Sequence, residues 1–251
     1  MTWLAPRKSS APSIQAAGKR EGRKAQEGTI ASQVVESANG QTGYAVELNS
    51  ETDFVAKTPK FVEFADSVLE DAVKAEAASV DEVLAAASGE ATVKEAVEEA
   101  AALFGEHVKV GQFAKVEGPH VEIYAHKKSA EMPPSIVAMI ATDEAGAAVA
   151  HEAALQISAM GCPVADPRGR SGRCGRVRAP RGHREVLGRR QAGEDRSEDR
   201  GSRLNAFYKE NVLLEQSYVK DPSKTVGDLF KEVGGAAVAF ARVEVGKGEA
   251  E

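Results

Sequence analysis

Aromatic residues make up only 5% of this 251-residue chain. Its cores must therefore be small and aliphatic, although hydrophobic residues, rich in alanine, reach 42%. No apolar run approaches the ~18 residues that a helical membrane span needs. Residues 1–13 include basic side chains but no apolar stretch, which excludes a secretory signal there. Only two cysteines occur, Cys162 and Cys174, which favours a cytoplasmic protein over a disulfide scaffold. A formal net charge of −6 argues against general nucleic-acid binding, which needs a basic face.

Catalytic signatures are missing as well. No phosphate-binding G-x-x-x-x-G-K-[ST] loop, H-E-x-x-H helix or C-x-x-C pair is present. No serine or cysteine sits in a nucleophile elbow. Cys162, Cys174 and His183 have no spacing typical of a zinc site. His107, His120, His126 and His151 are scattered, and a lone histidine near a strand end is usually structural. The expectation is a protein that is not an enzyme and has no resident metal or cofactor.

What is present is uneven. Residues 163–200 hold 11 of the 16 arginines and none of the 16 lysines. They include one leucine, Leu187, and no Phe, Tyr, Trp, Ile or Met. Such a stretch buries too little apolar surface to offset its chain entropy, so a poorly ordered insert is expected. One reading makes it a basic arm for RNA, although Glu185, Glu194, Asp195, Glu198 and Asp199 interrupt it. Another makes it the out-of-frame product of a GC-rich gene.

The rest reads as a repeat of strands backed by helices. Residues 29–35 are rich in β-branched side chains, Asn39-Gly40 is a hairpin turn, and residues 44–48 alternate. Thr58 followed by Pro59 predicts a helix start, with Phe61, Phe64, Ala65, Val68, Leu69 and Ala72 on one face. Ser79/Glu82 and Thr92/Glu95 have capping-box spacing, and Gly89 and Gly105 are placed to stop the helices that follow. Ala96, Val97, Ala100, Ala101, Leu103 and Phe104 form an alanine-rich face, either packed inward or open to a partner. Strands are expected over residues 108–116, 121–126 and 135–142. A helix over 147–159 offers Val149, Ala153, Leu155, Ile157 and Met160 for packing. Residues 204–216 are a helix candidate, a second helix starts at Thr225, Gly234-Gly235 ends it, and residues 237–245 close a sheet. The fold class is α+β: two related strand-rich subdomains, each backed by helices. The boundaries are an irregular tail (1–17), a first subdomain with linking helices (18–105), a second (106–162), the insert (163–201) and a C-terminal unit (202–251).

The most informative run is Glu47-Leu48-Asn49-Ser50-Glu51-Thr52-Asp53-Phe54-Val55-Ala56-Lys57. A buried-strand pattern (Tyr44, Val46, Leu48) ends there in a polar corner that carries an aromatic. A large apolar side chain at such a corner is costly unless something covers it. Phe54 either tucks back onto its own core or, with Asp53, probes a partner protein.

This run resembles the signature of the bacterial elongation factor Ts family. Three further stretches resemble the same family: residues 18–23 leading to Glu27-Gly28, residues 121–160, and residues 203–246 with Ser223-Lys224-Thr225-Val226-Gly227 and Arg242-Val243-Glu244-Val245-Gly246. The likeness spans residues 18–161 and 202–248. It implies a cytoplasmic guanine-nucleotide exchange factor for the GTPase elongation factor Tu, acting on its GDP-bound and nucleotide-free forms during polypeptide elongation. It implies that Thr52, Asp53, Phe54 and Val55 bind the partner, with Phe54 inserted so that the partner's Mg²⁺ and phosphate site is disturbed. Asn49, Ser50 and Glu51 would support the corner. Thr52 or Ser50 would cap its turn, and Asn49 would bond its backbone. Ile136, Val137 and Gln156 would make secondary contacts. No direct nucleic-acid or membrane contact is implied, and a homodimer remains open. Residues 1–17 stand where the family carries an N-terminal helical module. Residues 163–200 stand where it carries a helical hairpin, as after a pair of compensating frameshifts. An inactive or misread copy with a partial fold is the alternative; an RNA-binding protein using the arginine tract is a further one.

Overall fold

The computed structural model describes residues 23–37, 40–160 and 212–247. Residues 1–17, the turn expected at Asn39, the Arg-rich tract and Cys162, Cys174 and His183 lie outside them. Two three-stranded antiparallel sheets are stacked, and each carries helices on its outer face.

In the first sheet, β1 (Glu27–Ser37) and β2 (Gly40–Ser50) pair along their whole length, from Glu27 opposite Ser50 to Ser37 opposite Gly40. The short helix α1 (Asp53–Ala56) follows, then α2 (Pro59–Lys74). Thr58 caps α2 by accepting the Phe61 N–H at 3.3 Å, with Pro59 at the first helical position. The six residues expected on its inner face are the six that it buries.

Helix α3 (Val80–Ala85) starts at Ser79, whose hydroxyl accepts the Glu82 N–H. It stops at Ala86 rather than at Gly89. Gly89 instead lies in the turn between β3 (Ala87–Ser88) and β4 (Ala91–Thr92), at φ 65°. Helix α4 (Val93–Phe104) opens on a complete capping box of Thr92 and Glu95 and closes at Gly105, which is left-handed at φ 74°. Its alanine-rich face is packing surface: Ala96, Val97 and Ala100 are buried on the α2 core. Leu103 is the exception, at 56% exposure.

The second sheet has β7 (Pro134–Thr142) between β6 (His120–Lys127) and β10 (Ala237–Glu244). Helices α5 (Ala147–Met160) and α6 (Val226–Val233) cover it, with Ile157, Phe230 and Phe240 in the core beneath. Met160 is exposed rather than packed. Thr225 and Asp228 form the capping box of α6, and Gly234 ends it at φ 66°. Of the helix expected over residues 204–216, Leu213–Glu215 is a 3-10 turn, followed by β8 (Ser217–Tyr218) and β9 (Asp221–Thr225).

Strand β5 (Lys109–Gly118) departs from the expected boundary. Its pattern suggests the opening of the second unit, but its ladder is with β2, from Asn49 opposite Lys109 to Gln41 opposite Gly118. Periodicity marks a strand and not its partner. After Pro119 the chain changes sheets. Alternation then sorts the side chains: Val46 and Leu48 face the helices, whereas Ala45 faces the other sheet. Val137, Met139 and Ala141 meet it there, while Ala138 and Ile140 point to α5. Gly43 allows the close approach, since a Cβ there would stand 2.8 Å from Val121 and 3.2 Å from Val116.

A buried carboxylate joins these layers. Glu47 is 1% exposed. Its Oε1 accepts N–H groups from Asn49 Nδ2 and the Gly246 backbone, both at 2.7 Å. Its Oε2 accepts from the Gln112 backbone at 3.0 Å and from Gln112 Nε2 at 2.9 Å. The β2–β5 register shifts between Val46 and Leu48, which makes room for the side chain. Gly111 must be small, because a Cβ would stand 2.6 Å from Glu47 Oε2 and 2.3 Å from Asn49 Oδ1. Replacing Glu47 by Ala leaves these donors inside the protein without an acceptor. The expected cost is about 3 kcal/mol or more, read as a lower urea midpoint at unchanged slope.

Candidate functional site

The polar corner is a single helical turn set between β2 and α2. Thr52 is extended, at φ −127° and ψ 154°, and stands at the N-cap of α1. Ala56 is buried and Val55 packs against the first core. Successive helical residues are rotated by ~100°. With Val55 and Ala56 turned inward, Phe54 is carried to the outside. It is 71% exposed, which decides between the two sequence readings in favour of a ring in solvent.

Local hydrogen bonds fix the turn. The Ala56 N–H donates to the Thr52 carbonyl at 3.3 Å and Lys57 N–H to that of Asp53 at 3.1 Å. The Ser50 hydroxyl donates to the Thr52 carbonyl at 3.0 Å, so Ser50 braces the bend. The Thr58 hydroxyl donates to Val55 O at 2.8 Å. Asn49 is buried and ties the corner to β1 through Glu27 O as well as to Glu47.

Thr52 does not cap its own turn through its side chain. It is held instead by Glu106, which lies just past the C-terminus of α4. The Thr52 hydroxyl donates to Glu106 Oε1 at 2.6 Å and its N–H to Oε2 at 3.0 Å. Glu51 returns the exchange, accepting the His107 N–H at 2.7 Å and pairing with Arg23 at 3.3 Å. His107 Nδ1 in turn lies 2.9 Å from Arg23 O. Local pattern gave no sign of Glu106, His107 or Arg23, because the partners are 28 to 84 residues apart in the chain. The nearest signal was Gly105, whose left-handed backbone turns the chain toward the corner.

Lys57 flanks the ring. Its Nζ stands 4.5 Å from the Phe54 ring centroid and 4.0 Å from Asp53 Oδ2. The corner thus presents an aromatic face beside one negative and one positive group.

The secondary candidates are used within the chain. Val137 is fully buried between the sheets, and Ile136 is half-buried on β7 opposite Glu244. Gln156 is 1% exposed. Its Nε2 donates to Gln216 Oε1 and to Ser217 O, and its Oε1 accepts the Val219 N–H at 2.9 Å. It therefore holds the β8–β9 hairpin rather than facing outward; Val219 is an exposed apolar residue there. Nearby, the Tyr218 hydroxyl bonds Glu152. Burial, reinforced by that carboxylate, pushes its pKa up to about 12.

Among the described residues no group of three or more His, Cys, Asp or Glu side chains is placed to hold a metal ion. No helix there is long and apolar enough to cross a membrane.

The corner from Glu51 onward falls within a family match. The family model described as "Elongation factor TS" matches residues 51–168 and 200–247. The chain belongs to the elongation factor Ts family. An elongation factor Ts of Bifidobacterium adolescentis is 76% identical, over 96% of this chain and 86% of the relative. One from Bifidobacterium animalis subsp. lactis is 70% identical, over 94% and 83%. A more distant relative, from Beutenbergia cavernae, is 38% identical over 93% and 84%. The family match is interrupted over residues 169–199, within the arginine-rich tract.

The His107 N–H, followed by Arg23, holds the Glu51 carboxyl below the ordinary glutamate range. A carboxylate with a lowered folded pKa contributes stability above its unfolded value and loses it as pH falls through the folded one. Acid titration of thermal stability below about pH 4.5 should therefore be shallower for Glu51→Gln than for the wild type.

Proposed function

We propose that the chain is a guanine-nucleotide exchange factor for elongation factor Tu and acts during polypeptide elongation in the cytoplasm. The observation that carries this reading is Phe54, held out in solvent on a braced turn whose sequence matches the family. The factor itself makes and breaks no covalent bond and uses no cofactor. Its work is differential binding. A surface that binds the nucleotide-free GTPase more tightly than the GDP-bound form must weaken GDP by the same factor. The GTPase then shifts toward its empty form, from which either nucleotide can bind.

Within this reading, Phe54 enters a crevice of the GTPase near its nucleotide pocket. A phenylalanine is rigid, and burying it contributes roughly 2 kcal/mol or more. Asp53 meets a partner N–H, and Val55 with Ala56 keeps the turn seated while the ring is pushed. GDP is held largely through phosphate contacts and Mg²⁺. Displacing the Mg²⁺-binding elements is therefore the step that releases it.

Phe54→Ala should slow the stimulated release of a fluorescent GDP analogue from elongation factor Tu at least about tenfold. Its stability should change by less than about 0.5 kcal/mol, because the ring touches little of its own chain. Unchanged release would reject this role for Phe54.

A further inference from the structure

We propose that Glu106 is a positioning residue for Phe54: it sets the angle at which the corner presents the ring. The inference rests on the exchange reading above and adds to it a residue remote in sequence.

The geometry is specific. Glu106 spends both carboxylate oxygens on one residue, taking the hydroxyl of Thr52 with one and its N–H with the other. That N–H stands at the N-cap of α1, and Thr52 O accepts the Ala56 N–H that closes the turn. A shift of Thr52 therefore rotates the turn that carries Phe54. The brace is also two-way. Glu51 takes the N–H of His107, the residue after Glu106, so neither segment can slide without breaking both contacts. Gly105 makes the reach possible. It is left-handed at φ 74°, and a Cβ there would meet nothing within 4 Å. It therefore serves the path of the chain and fills no tight space. A bidentate, charge-assisted contact fixes direction as well as distance. The ring is 71% exposed, with Lys57 Nζ 4.5 Å from its centroid, so its placement depends mainly on the backbone beneath. Preorganisation of that kind raises the rate of a step that follows binding.

The test is GDP release from elongation factor Tu by the full chain, measured over factor concentration for wild type, Glu106→Ala, Glu106→Gln, Thr52→Val, Phe54→Ala and Glu106→Ala/Phe54→Ala. Positioning predicts that Glu106→Ala lowers the maximal rate about tenfold while the half-saturating concentration moves less than about threefold. Glu106→Gln, which keeps one acceptor, should recover part of that loss. Thr52→Val should lower the maximal rate in the same sense, which keeps the test open if Glu106→Ala folds poorly. The double variant should be no slower than Phe54→Ala alone, because Glu106 acts through the ring. An unchanged maximal rate for Glu106→Ala, or losses that multiply in the double variant, overturns the positioning role and leaves the exchange reading intact. A Phe54→Ala rate equal to wild type overturns both.

Discussion

A single buried carboxylate settles how the layers of this protein meet. Glu47 sits on the middle strand of the first sheet, where an uncompensated charge would be costly. Four N–H groups from three separate segments satisfy it. One comes from the corner, two from Gln112 on the neighbouring strand, and one from the backbone just beyond the last strand of the other sheet. The end of the chain's final strand is thereby tied to the base of the corner. Gln112 extends the link by donating to Glu244 O at 2.7 Å. Such a group fixes register more sharply than apolar contacts, which tolerate sliding.

Above that anchor the corner is stiff because it is bonded on two sides. Asn49 and Ser50 hold it to the strand it leaves, and Glu106 holds it to the loop after α4. The division of labour suits a protein whose action is contact. Side chains that point inward define position, and the one that points outward is left free to meet a partner. The charges at the corner are engaged with one another or with the turn, and the aromatic ring is its exposed apolar feature.

Much of this was legible in the sequence, and the failures share a cause. Signals within a few residues held: the Thr58-Pro59 start, the Thr92 box, the helix start at Thr225, and the inward face of α2. The strand–helix corner with Phe54 was also visible, because an aromatic beside Asp interrupts an otherwise buried pattern. Relations between distant residues were not. Nothing in the alternation of β5 says that it pairs with β2, and nothing around Glu106 says that it meets Thr52. Gln156 shows the same limit from the other side. The family resemblance implies a partner contact near it, yet here its amide completes a buried network with the β8–β9 hairpin. Gly89 misled because glycine serves turns of several kinds, and only the following two-residue strand reveals which.

The lysine stacked beside Phe54 has a consequence for life in a crowded solution. A permanently bare aromatic ring invites self-association through matching rings on other copies. With an ammonium lying over one face, two such rings cannot stack there without bringing like charges together. The same cation also faces Asp53, at 4.0 Å, one residue before the ring. Colloidal restraint is thus supplied by one side chain, three residues downstream of the ring it covers.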